Sequence, residues 1–445
     1  MTLHTERPTA VPPRPAVVMF VRNDCSSDTR VLREAATLAA AGHPVTIMAT
    51  TRPGAPATVE RVERNGITII RVPIPGGWRT TWRRLRTPWR AWASLRHRLG
   101  GPVPTGQSDA LDWLASWRFA NLAWGRAAAA TAPAARIHHG HDLTGLPAAL
   151  ASRRRAGGLV VYDSHELFLE SGSNARRPRW AKRVLGRLER RWSAEAAALV
   201  TVNATLDGEL RERLGFRRSV VVHNCPPRWD PPLPRPDHLR HAAGIPPESP
   251  VVLYHGGFGP DRGLLQLAAA MREPGLEGAH LVYLGFGALE GTLRGIAADP
   301  ASRGRIHVVP SVPPEELDEW VASADVGVMP NQPITANERL STPNKLFESL
   351  AAGLPVVTSD FPERHRIVLD DPDGPLGAVC NPEDPASIGR AIRSILDLPP
   401  DELARLRERC LHAAHARWNW ETESARLLGL YEELSAEVEA DRAEA

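Results

Sequence analysis

The chain has 445 residues, of which 42% are hydrophobic and 24% are charged. This length exceeds one ordinary core, so we expect two domains, and the composition excludes a disordered or fibrous protein. The formal net charge of +3 is too small to mark the whole molecule as a nucleic-acid binder.

The four cysteines, Cys25, Cys225, Cys380 and Cys410, are widely scattered and show no CxxC or Cys/His ligand spacing. This spacing supports neither a disulfide framework nor a zinc site and favours a reducing cytosol. The first 15 residues are polar and proline-rich, and no window contains the roughly 18 apolar residues of a transmembrane helix. We therefore expect a cytoplasmic protein that reaches a membrane only at its inner surface.

The first half of the chain alternates apolar runs with helical patterns. The runs that predict buried strands are 16–21, 45–50, 67–72, 136–142, 159–166 and 198–203. Between the first two runs, Val31, Ala35 and Leu38 fall at helical spacing, and Gly42 ends the helix. A strand–helix–strand unit of this kind is typical of a doubly wound parallel sheet, which we predict for residues 1–223.

Six prolines in residues 224–237 exclude a continuous helix or a central strand there and predict an interdomain linker. The alternation then resumes, with strands predicted at 251–258, 280–287, 306–312, 325–330 and 356–360. We predict a second Rossmann-like domain over 238–415, followed by a C-terminal helix and tail over 416–445. Two such domains face a cleft, where the carboxyl ends of the strands bind ligands.

The stretch STPNKLFESLAAGLPVVTSD, residues 341–360, predicts a helix capped by Ser341 or Thr342 with Pro343 in its first turn. Lys345 adds a cation to the already positive end of this helix, which indicates a bound anion. Glu348 could accept hydrogen bonds from a diol. The alternative is a capped core helix on which Lys345 and Glu348 are merely solvated.

A glycine-rich turn follows the strand predicted at 251–258. Gly256 and Gly257 would let the backbone approach a phosphate, and Arg262 opens the next helix where it could bind phosphate oxygens bidentately. Two helix N-termini in one domain, each with a basic residue, make a diphosphate site plausible.

Polar side chains also end two neighbouring strands of the first domain. They are His139, His141, Asp142, Asp163, His165 and Glu166. At the carboxyl ends of strands facing a cleft, such residues suit acid–base chemistry. Metal binding and ordinary strand-end hydrogen bonding are the alternatives, although no fixed ligand spacing such as HExxH is present.

These motifs together resemble a known family. The segments NERLSTPNKLFESLAAGLPVVTSDFPE, DTRVLREAATLAAAGH, HGHDL, YDSHELF, HNCP and GPDRGLLQL occur in the order expected of a family 4 type glycosyltransferase. The resemblance runs from about Val17 to Leu434. It implies the α/β GT-B fold, in which two Rossmann-like parallel-sheet domains face a cleft and a C-terminal helix packs back on the first domain.

The resemblance also implies roles for individual residues. Arg262 would grip the diphosphate of a nucleotide-sugar donor, Glu348 would hold the ribose hydroxyls, and Lys345 would be an additional phosphate clamp. His141 would lie near the reacting sugar and, with Arg262 and Lys345, form the catalytic set. The implied donor-binding residues are Gly256, Gly257, Arg262, Ser341, Thr342, Asn344, Lys345 and Glu348. The acceptor-side candidates are Asp28, Arg30, His139, Asp142, His165 and Glu166.

The chain departs from the family pattern at two positions. Leu340 stands where the first glutamate of a pair spaced eight apart would contact the donor sugar, and Asn337 or Glu338 could supply that hydrogen bonding. Gly257 stands where many relatives have another arginine. The resemblance implies no metal and no cofactor beyond the nucleotide-diphosphate sugar, because helix dipoles and basic side chains stabilise the leaving group.

A basic, tryptophan-rich segment at 76–100 contains four tryptophans, seven arginines and no acidic residue, and a similar segment follows at 176–192. This combination is typical of proteins that contact an anionic membrane surface. The residues we predict to make this contact are Trp78, Trp82, Arg83, Arg84, Trp89 and Trp92. A solvated helix face with packed tryptophans is the alternative, and no RNA-binding motif supports nucleic-acid binding.

We therefore expect a retaining, metal-independent transfer of a hexose-type sugar from a nucleotide-diphosphate sugar to a hydroxyl acceptor. The acceptor would be lipid-linked, polysaccharide or a small molecule, in cell-surface polysaccharide or glycolipid synthesis. A nucleotide-sugar epimerase or hydrolase of the same fold is one alternative. A non-catalytic sugar-nucleotide-binding partner, suggested by Leu340, is the other.

Overall fold

The structure is a computed structural model that describes residues 14–52, 54–77, 82 and 107–444. Two sheets, one parallel and one parallel except for an edge strand, are each covered by helices on both faces and form two α/β domains in chain order. This is the doubly wound arrangement that the alternation of apolar runs and helical patterns predicts.

The first sheet has eight strands in the order β3-β4-β2-β1-β5-β6-β7-β8. They are β1 (Val17–Phe20), β2 (Val45–Thr50), β3 (Glu60–Arg64), β4 (Ile67–Val72), β5 (Ile137–His141), β6 (Leu159–Ser164), β7 (Ala198–Thr201) and β8 (Ser219–Val221). Only β3 runs antiparallel to its neighbour.

The described helices of this domain are α1 (Thr29–Ala40), α2 (Gln107–Ser116), α3 (Leu122–Thr131), α4 (Asp142–Ala156), α5 (Gly172–Ala175), α6 (Arg179–Ser193) and α7 (Ala204–Leu214). A π-helical turn, Trp117–Asn121, joins α2 to α3, and a 3-10 turn, Phe168–Glu170, precedes α5.

The second sheet has six strands, all parallel, in the order β11-β10-β9-β12-β13-β14. They are β9 (Val251–Gly257), β10 (His280–Phe286), β11 (Ile306–Val309), β12 (Val326–Met329), β13 (Val356–Ser359) and β14 (Gly377–Cys380).

The helices that follow the first domain are α8 (His238–Ala243), α9 (Leu264–Ala270), α10 (Glu290–Ala298), α11 (Leu317–Ala322), α12 (Ala336–Leu340), α13 (Asn344–Ala351), α14 (Pro362–Val368), α15 (Pro385–Leu396), α16 (Pro400–Ala416) and α17 (Trp420–Glu444), with a 3-10 turn at Pro300–Ser302.

Every strand predicted from an apolar run is present, and three further strands were missed. β3, β8 and β14 all lie at sheet edges, where one side of the strand has no neighbour. In β3, four of the five residues are charged and exposed, which protects an edge from pairing with another chain. β3 has no apolar run, and β8 with three residues and β14 with four are too short to stand out as strands in the sequence.

One helix boundary was predicted wrongly. The helix of the STPNK stretch begins at Asn344, and Pro343 is its N-cap residue with extended backbone angles and no side-chain cap. Ser341 and Thr342 therefore belong to the loop between α12 and α13 rather than to a capped first turn. Because proline has no backbone N–H, it suits this boundary position without a lost hydrogen bond.

The C-terminal helix α17 packs back on the first domain, as predicted. Its buried residues Trp420, Leu427, Tyr431 and Leu434 join the core that covers one face of the first sheet. The indole Nε1 of Trp420 donates to Thr37 Oγ1 on α1 over 3.0 Å.

A buried histidine lies where the chain passes from one domain to the other. The backbone N–H of His223 donates to Glu423 Oε2 of α17 over 2.9 Å. Nearby, Glu363 of α14 accepts from the hydroxyl of Thr205 on α7 over 2.8 Å, which joins the two domains directly. Burial alone would lower the pKa of His223, but the two carboxylates outweigh it and raise the pKa.

Among the described helices, we find none whose length and apolar character would let it span a bilayer.

Candidate functional site: the cleft between the two domains

A cavity of about 530 Å³ lies between the carboxyl ends of the strands of the two sheets. Most of its lining comes from the second domain, and the first domain contributes His165 and Glu166. The lining from the second domain is His255, Gly256, Gly257, Arg262, Leu284, Gly285, Phe286, Ser311, Val312, Pro314, Leu317, Asn337, Glu338, Ser341, Thr342, Pro343, Asn344, Lys345 and Glu348. All eight predicted donor-side residues are therefore brought together in one cavity.

The loop after β9 depends on glycine at two positions. Gly256 has a φ of +103°, and a Cβ there would lie 3.3 Å from the Lys345 ammonium nitrogen. Gly263 has a φ of +69°, and a Cβ there would lie 2.0 Å from the carbonyl oxygen of Pro330. Both positions therefore need glycine, and the resulting turn brings the loop backbone to the cavity wall.

Arg262 is held by acidic neighbours and still faces the cavity. Its Nη1 lies 3.4 Å from Glu338 Oε2, and its Nη2 lies 3.7 Å from Asp261. The side chain is 34% exposed, so the guanidinium retains surface for an anionic ligand. Glu338 also accepts from the amide of Asn331 over 3.1 Å, which fixes the carboxylate in place.

Lys345 reaches the cavity from the first turn of α13. Its ammonium donates to the hydroxyl of Tyr254 over 3.0 Å and lies 4.3 Å from the centre of the tyrosine ring. Burial and the nearby Arg262 guanidinium lower the pKa of Lys345 to about 7. An anionic ligand beside this ammonium would favour its charged form.

Glu348 lies one turn further along α13 and pairs with His255. The His255 Nε2 and Glu348 Oε2 atoms are 2.9 Å apart. Burial alone would raise the pKa of Glu348, but the hydrogen bond and charge of His255 outweigh it and keep the pKa low. The carboxylate is therefore ionised and ready to accept hydrogen bonds.

Two residues that sequence reasoning missed hold the loop between α12 and α13. The buried guanidinium of Arg364 donates to the carbonyl oxygens of Ser341 (3.1 Å) and Glu338 (3.2 Å). From the first domain, the amide of Asn203 donates to the carbonyl oxygen of Leu340 (2.8 Å). These contacts are between residues distant in sequence, so no local motif signals them.

The Leu340 side chain points away from the cavity. It packs against the core of the first domain. Glu338 lines the cavity instead, and so does Asn337, whose Oδ1 accepts from the backbone N–H of Leu167 over 2.9 Å. The carboxylate nearest to the place of the missing glutamate is therefore Glu338.

The first domain presents His165 to the cavity between two carboxylates. His165 Nε2 lies 2.9 Å from Asp163 Oδ2, and Nδ1 lies 3.4 Å from Asp142 Oδ2. Burial alone would lower the pKa of His165, but Asp142 and Asp163 outweigh it and raise the pKa to about 10. His165 is therefore a cation at neutral pH. Asp142 itself has a φ of +53°, a strained backbone of the kind found at functional sites.

His139 and His141 do not reach the cavity, contrary to the expectation from their position at a strand end. Both rings are fully buried beneath His165. His139 Nδ1 lies 2.6 Å from the hydroxyl of Tyr431 on α17, and His141 Nδ1 lies 3.1 Å from Asp163 Oδ2. They are buried because α1 and α17 cover this face of the first sheet.

The predicted acceptor-side residues Asp28 and Arg30 line a second cavity of about 300 Å³. It shares His165, Ser341, Thr342 and Asn344 with the larger cavity, so the two spaces meet at these residues. Asp28 caps α1 by accepting from the backbone N–H of Val31. Glu166, in the larger cavity, accepts from the Ser171 hydroxyl over 2.6 Å, and burial raises its pKa.

Four buried side chains could in principle ligate a metal ion. Glu34, His139, His141 and Asp163 each bring one ligand atom within 4.8 Å of the others. Arg30 already lies among them, 3.0 Å from both Glu34 and Asp163. Burial and Asp163 raise the pKa of Glu34 to about 8, so Glu34 is largely protonated at neutral pH and Arg30 is the counter-ion of Asp163. The charge of the cluster is thus balanced by protein groups alone.

Five of the six predicted membrane-contact residues, Trp78, Arg83, Arg84, Trp89 and Trp92, lie outside the described residues. Trp82 is half-buried, and its Nε1 donates to Asp112 Oδ1 over 2.6 Å. Its ring lies 6.3 Å from that of Phe119. Trp82 therefore packs on the body of the first domain.

Two family models match the chain in the order of its domains. "Glycosyl transferase 4-like domain" matches residues 27–225, and "Glycosyl transferases group 1" matches residues 249–397. The chain belongs to the family 4 type glycosyltransferases of the GT-B fold.

Several named relatives are similar over much of the chain. D-inositol 3-phosphate glycosyltransferase 1 of Catenulispora acidiphila is 28% identical over 317 residues, which cover 66% of this chain and 71% of the relative. A GDP-mannose-dependent alpha-(1-6)-phosphatidylinositol monomannoside mannosyltransferase of Mycolicibacterium smegmatis is 29% identical over 51% of this chain and 60% of its own.

Known structures share the fold at low identity. A sucrose-phosphate synthase from Thermosynechococcus elongatus superimposes with a TM-score of 0.71 at 18% identity and covers 95% of this chain and 100% of its own. Anabaena HepE in complex with UDP superimposes with a TM-score of 0.64 at 13% identity, covering 94% of this chain and 100% of its own.

Proposed function

We propose that this glycosyltransferase moves a hexose from a nucleotide-diphosphate sugar in the larger cavity to a hydroxyl of an acceptor. The observation that carries the proposal is that two basic residues, Arg262 just before α9 and Lys345 in the first turn of α13, line the same cavity. Anions bind at helix N-termini, and two basic side chains suit the two phosphates of a diphosphate.

The rest of the cavity matches the other parts of such a donor. Glu348, ionised and held by His255, would accept hydrogen bonds from the ribose hydroxyls. Phe286, 64% exposed, and Val312 offer an apolar wall on which a nucleobase could stack. HepE has been crystallised with UDP and with UDP-glucose, which supports a nucleotide sugar as the donor class here.

The proposed reaction retains the anomeric configuration and uses no metal. No described carboxylate stands out as a protein nucleophile, so we propose attack of the acceptor on the face from which the diphosphate leaves. The departing phosphate oxygen would take the acceptor proton, while Arg262 and Lys345 stabilise the developing charge. His165, a fixed cation where the two cavities meet, would orient the acceptor, and the buried His141 would position His165 from below.

The proposed acceptor is a lipid-linked or polysaccharide hydroxyl at the cytoplasmic face of the cell membrane. Support for a lipid acceptor comes from the relative named as a phosphatidylinositol monomannoside mannosyltransferase, whereas the D-inositol 3-phosphate glycosyltransferases support a small-molecule hydroxyl as the alternative acceptor.

A panel of UDP-, GDP- and ADP-sugars tests the proposal by thermal shift and by donor hydrolysis, with and without EDTA. We expect one donor to bind and to be hydrolysed slowly, with the same rate in EDTA and with the α-anomer released from an α-linked donor. Interconversion of the sugar without release would support an epimerase, and binding without turnover with any acceptor would support a non-catalytic partner. A rate abolished by EDTA would contradict the metal-independent mechanism.

A further inference from the structure

Helix α6 presents an unusual face to solvent. Its inward face carries Ala181, Leu185, Glu189 and Ser193, all buried at intervals of four residues. The Glu189 carboxylate on this face accepts from the buried Tyr162 hydroxyl over 2.9 Å. The inward contacts therefore fix which residues of the helix point outward.

The outward face combines arginines with exposed apolar side chains and carries no acidic residue. Its arginines are Arg179, Arg183, Arg187, Arg190 and Arg191, all exposed. Among them lie Trp180, which is 41% exposed, and Val184, which is 39% exposed. We define these seven residues as the α6 outer face.

The positive charge of this face is not neutralised by nearby carboxylates. Of the basic residues of α6, Lys182 pairs with Glu170 over 2.8 Å, and Arg190 donates to the carbonyl oxygen of Arg213. Arg179, Arg183, Arg187 and Arg191 make no ion pair within the part of the chain that the structure describes. Arg179 at the start of α6 opposes the helix dipole, whereas Arg190 and Arg191 in the last turn complement it.

We propose that the α6 outer face binds an anionic lipid bilayer, with Trp180 and Val184 inserted at the headgroup boundary and the arginines on lipid phosphates. An aliphatic side chain beside the tryptophan favours a bilayer over single-stranded nucleic acid, because valine offers no surface for stacking on a base. The surface lies in the described structure, and it does not depend on residues 78–92.

The chain connects this face directly to the cleft. The two cleft residues of the first domain, His165 and Glu166, are followed by the 3-10 turn, α5 and then α6. The same segment is fastened to the second domain by the Asn337 side chain, which accepts from Leu167, and to α6 by the Glu170–Lys182 pair. Bilayer contact would therefore bring the mouth of the cleft to a lipid-linked acceptor, a consequence that rests on the proposed function.

Cosedimentation of the full chain with phosphatidylcholine vesicles, with or without phosphatidylglycerol, tests the surface. We expect salt-sensitive binding only where phosphatidylglycerol is present, and a loss of at least about tenfold in partitioning for the double variant Arg183→Glu/Arg187→Glu. Trp180→Ser/Val184→Ser should remove the fraction that remains bound at high salt. The matched control is Arg272→Glu/Arg390→Glu, which changes the same charge on exposed arginines of the second domain.

Donor hydrolysis in solution, without vesicles, is measured on every variant and should not change. If the wild-type protein hydrolyses no donor, the proposed function is contradicted, while the vesicle-binding result still stands. If Arg183→Glu/Arg187→Glu and its control bind vesicles equally, the α6 outer face is not the surface that binds the bilayer. The wild type could instead bind single-stranded RNA but no vesicles, with the RNA binding lost in Arg183→Glu/Arg187→Glu. That result would mean that the α6 outer face binds nucleic acid and not a bilayer.

Discussion

The two sides of the cleft handle charge in opposite ways. Beneath the first-domain side, Arg30 and His165 are matched by the carboxylates of Asp163 and Asp142 within 3.4 Å. On the second-domain side, Arg262 is only partly matched by Glu338, and Lys345 is held by a neutral hydroxyl. The first arrangement stabilises the protein itself, while the second leaves positive charge available to a ligand. Substitutions should therefore affect stability on one side and activity on the other.

The largest effect should follow from a substitution on the first-domain side of the cleft, where buried cations and carboxylates are matched. Asp163→Asn removes the buried carboxylate that Arg30 and His165 share and leaves only Glu34 and Asp142 beside them, so we expect the free energy of unfolding to fall by about 3–5 kcal/mol. Urea unfolding measures this loss. Asp261→Asn, which removes a partly exposed partner of Arg262 at 3.7 Å, is the control and should cost less than about 1 kcal/mol. A similar, small loss in both variants would mean that the buried cluster is not a stabilising network.

Substitutions on the second-domain side should instead lower the activity and leave the stability almost unchanged. Arg262→Ala and Lys345→Ala each remove a cation that the leaving diphosphate needs, so kcat/KM should fall about 10²- to 10³-fold. The unfolding free energy should stay close to that of the wild type, because neither cation is fully neutralised by the fold. Steady-state kinetics on the donor identified by the panel measure the effect, with Arg272→Ala as the control. Wild-type turnover in either variant would refute the donor-site assignment.

The low pKa of Lys345 makes donor binding depend on pH. A bound diphosphate would stabilise the ammonium and raise its pKa above the value of about 7, so binding takes up a proton in mildly alkaline solution. Affinity for a nucleoside diphosphate should therefore fall as pH rises above about 7, by up to about tenfold per pH unit.

Calorimetry in buffers of different ionisation enthalpy counts the protons taken up by the wild type. In Lys345→Arg the guanidinium stays charged over this range, so both the pH slope and the proton uptake should disappear. An unchanged slope in Lys345→Arg would assign the titration to another group.

The smallest effect concerns the position of the missing glutamate. Because the Leu340 side chain packs on the core of the first domain, Leu340→Glu should not raise kcat/KM and should cost about 1 kcal/mol in unfolding free energy. Leu340→Met keeps the packing and is the control. A rise in kcat/KM for Leu340→Glu would show that this position faces the donor sugar after all.

The sequence predicted the sheets and the donor side better than the first-domain side, for a physical reason. Buried central strands such as β9 carry apolar runs, and Arg262, Lys345 and Glu348 stand in local motifs beside helix starts. The burial of His139 and His141 depends on the helices α1 and α17, which cover that face of the first sheet, and α17 lies almost 300 residues later in the chain. Arg364 and Asn203 were missed for the same reason, since each acts through contacts distant in sequence.

The return of α17 to the first domain affects the order in which the chain is completed during synthesis. Domains generally fold from the N-terminus as the ribosome releases them. Here the core around β1 and β2 includes Trp420, Tyr431 and Val438, so the first domain cannot finish its core until these residues have emerged. The second domain takes its last core residues, among them Leu406, Cys410 and Trp418, from the chain ahead of α17, so it can close first. The half of the cleft made first by translation is thus the half completed last by folding.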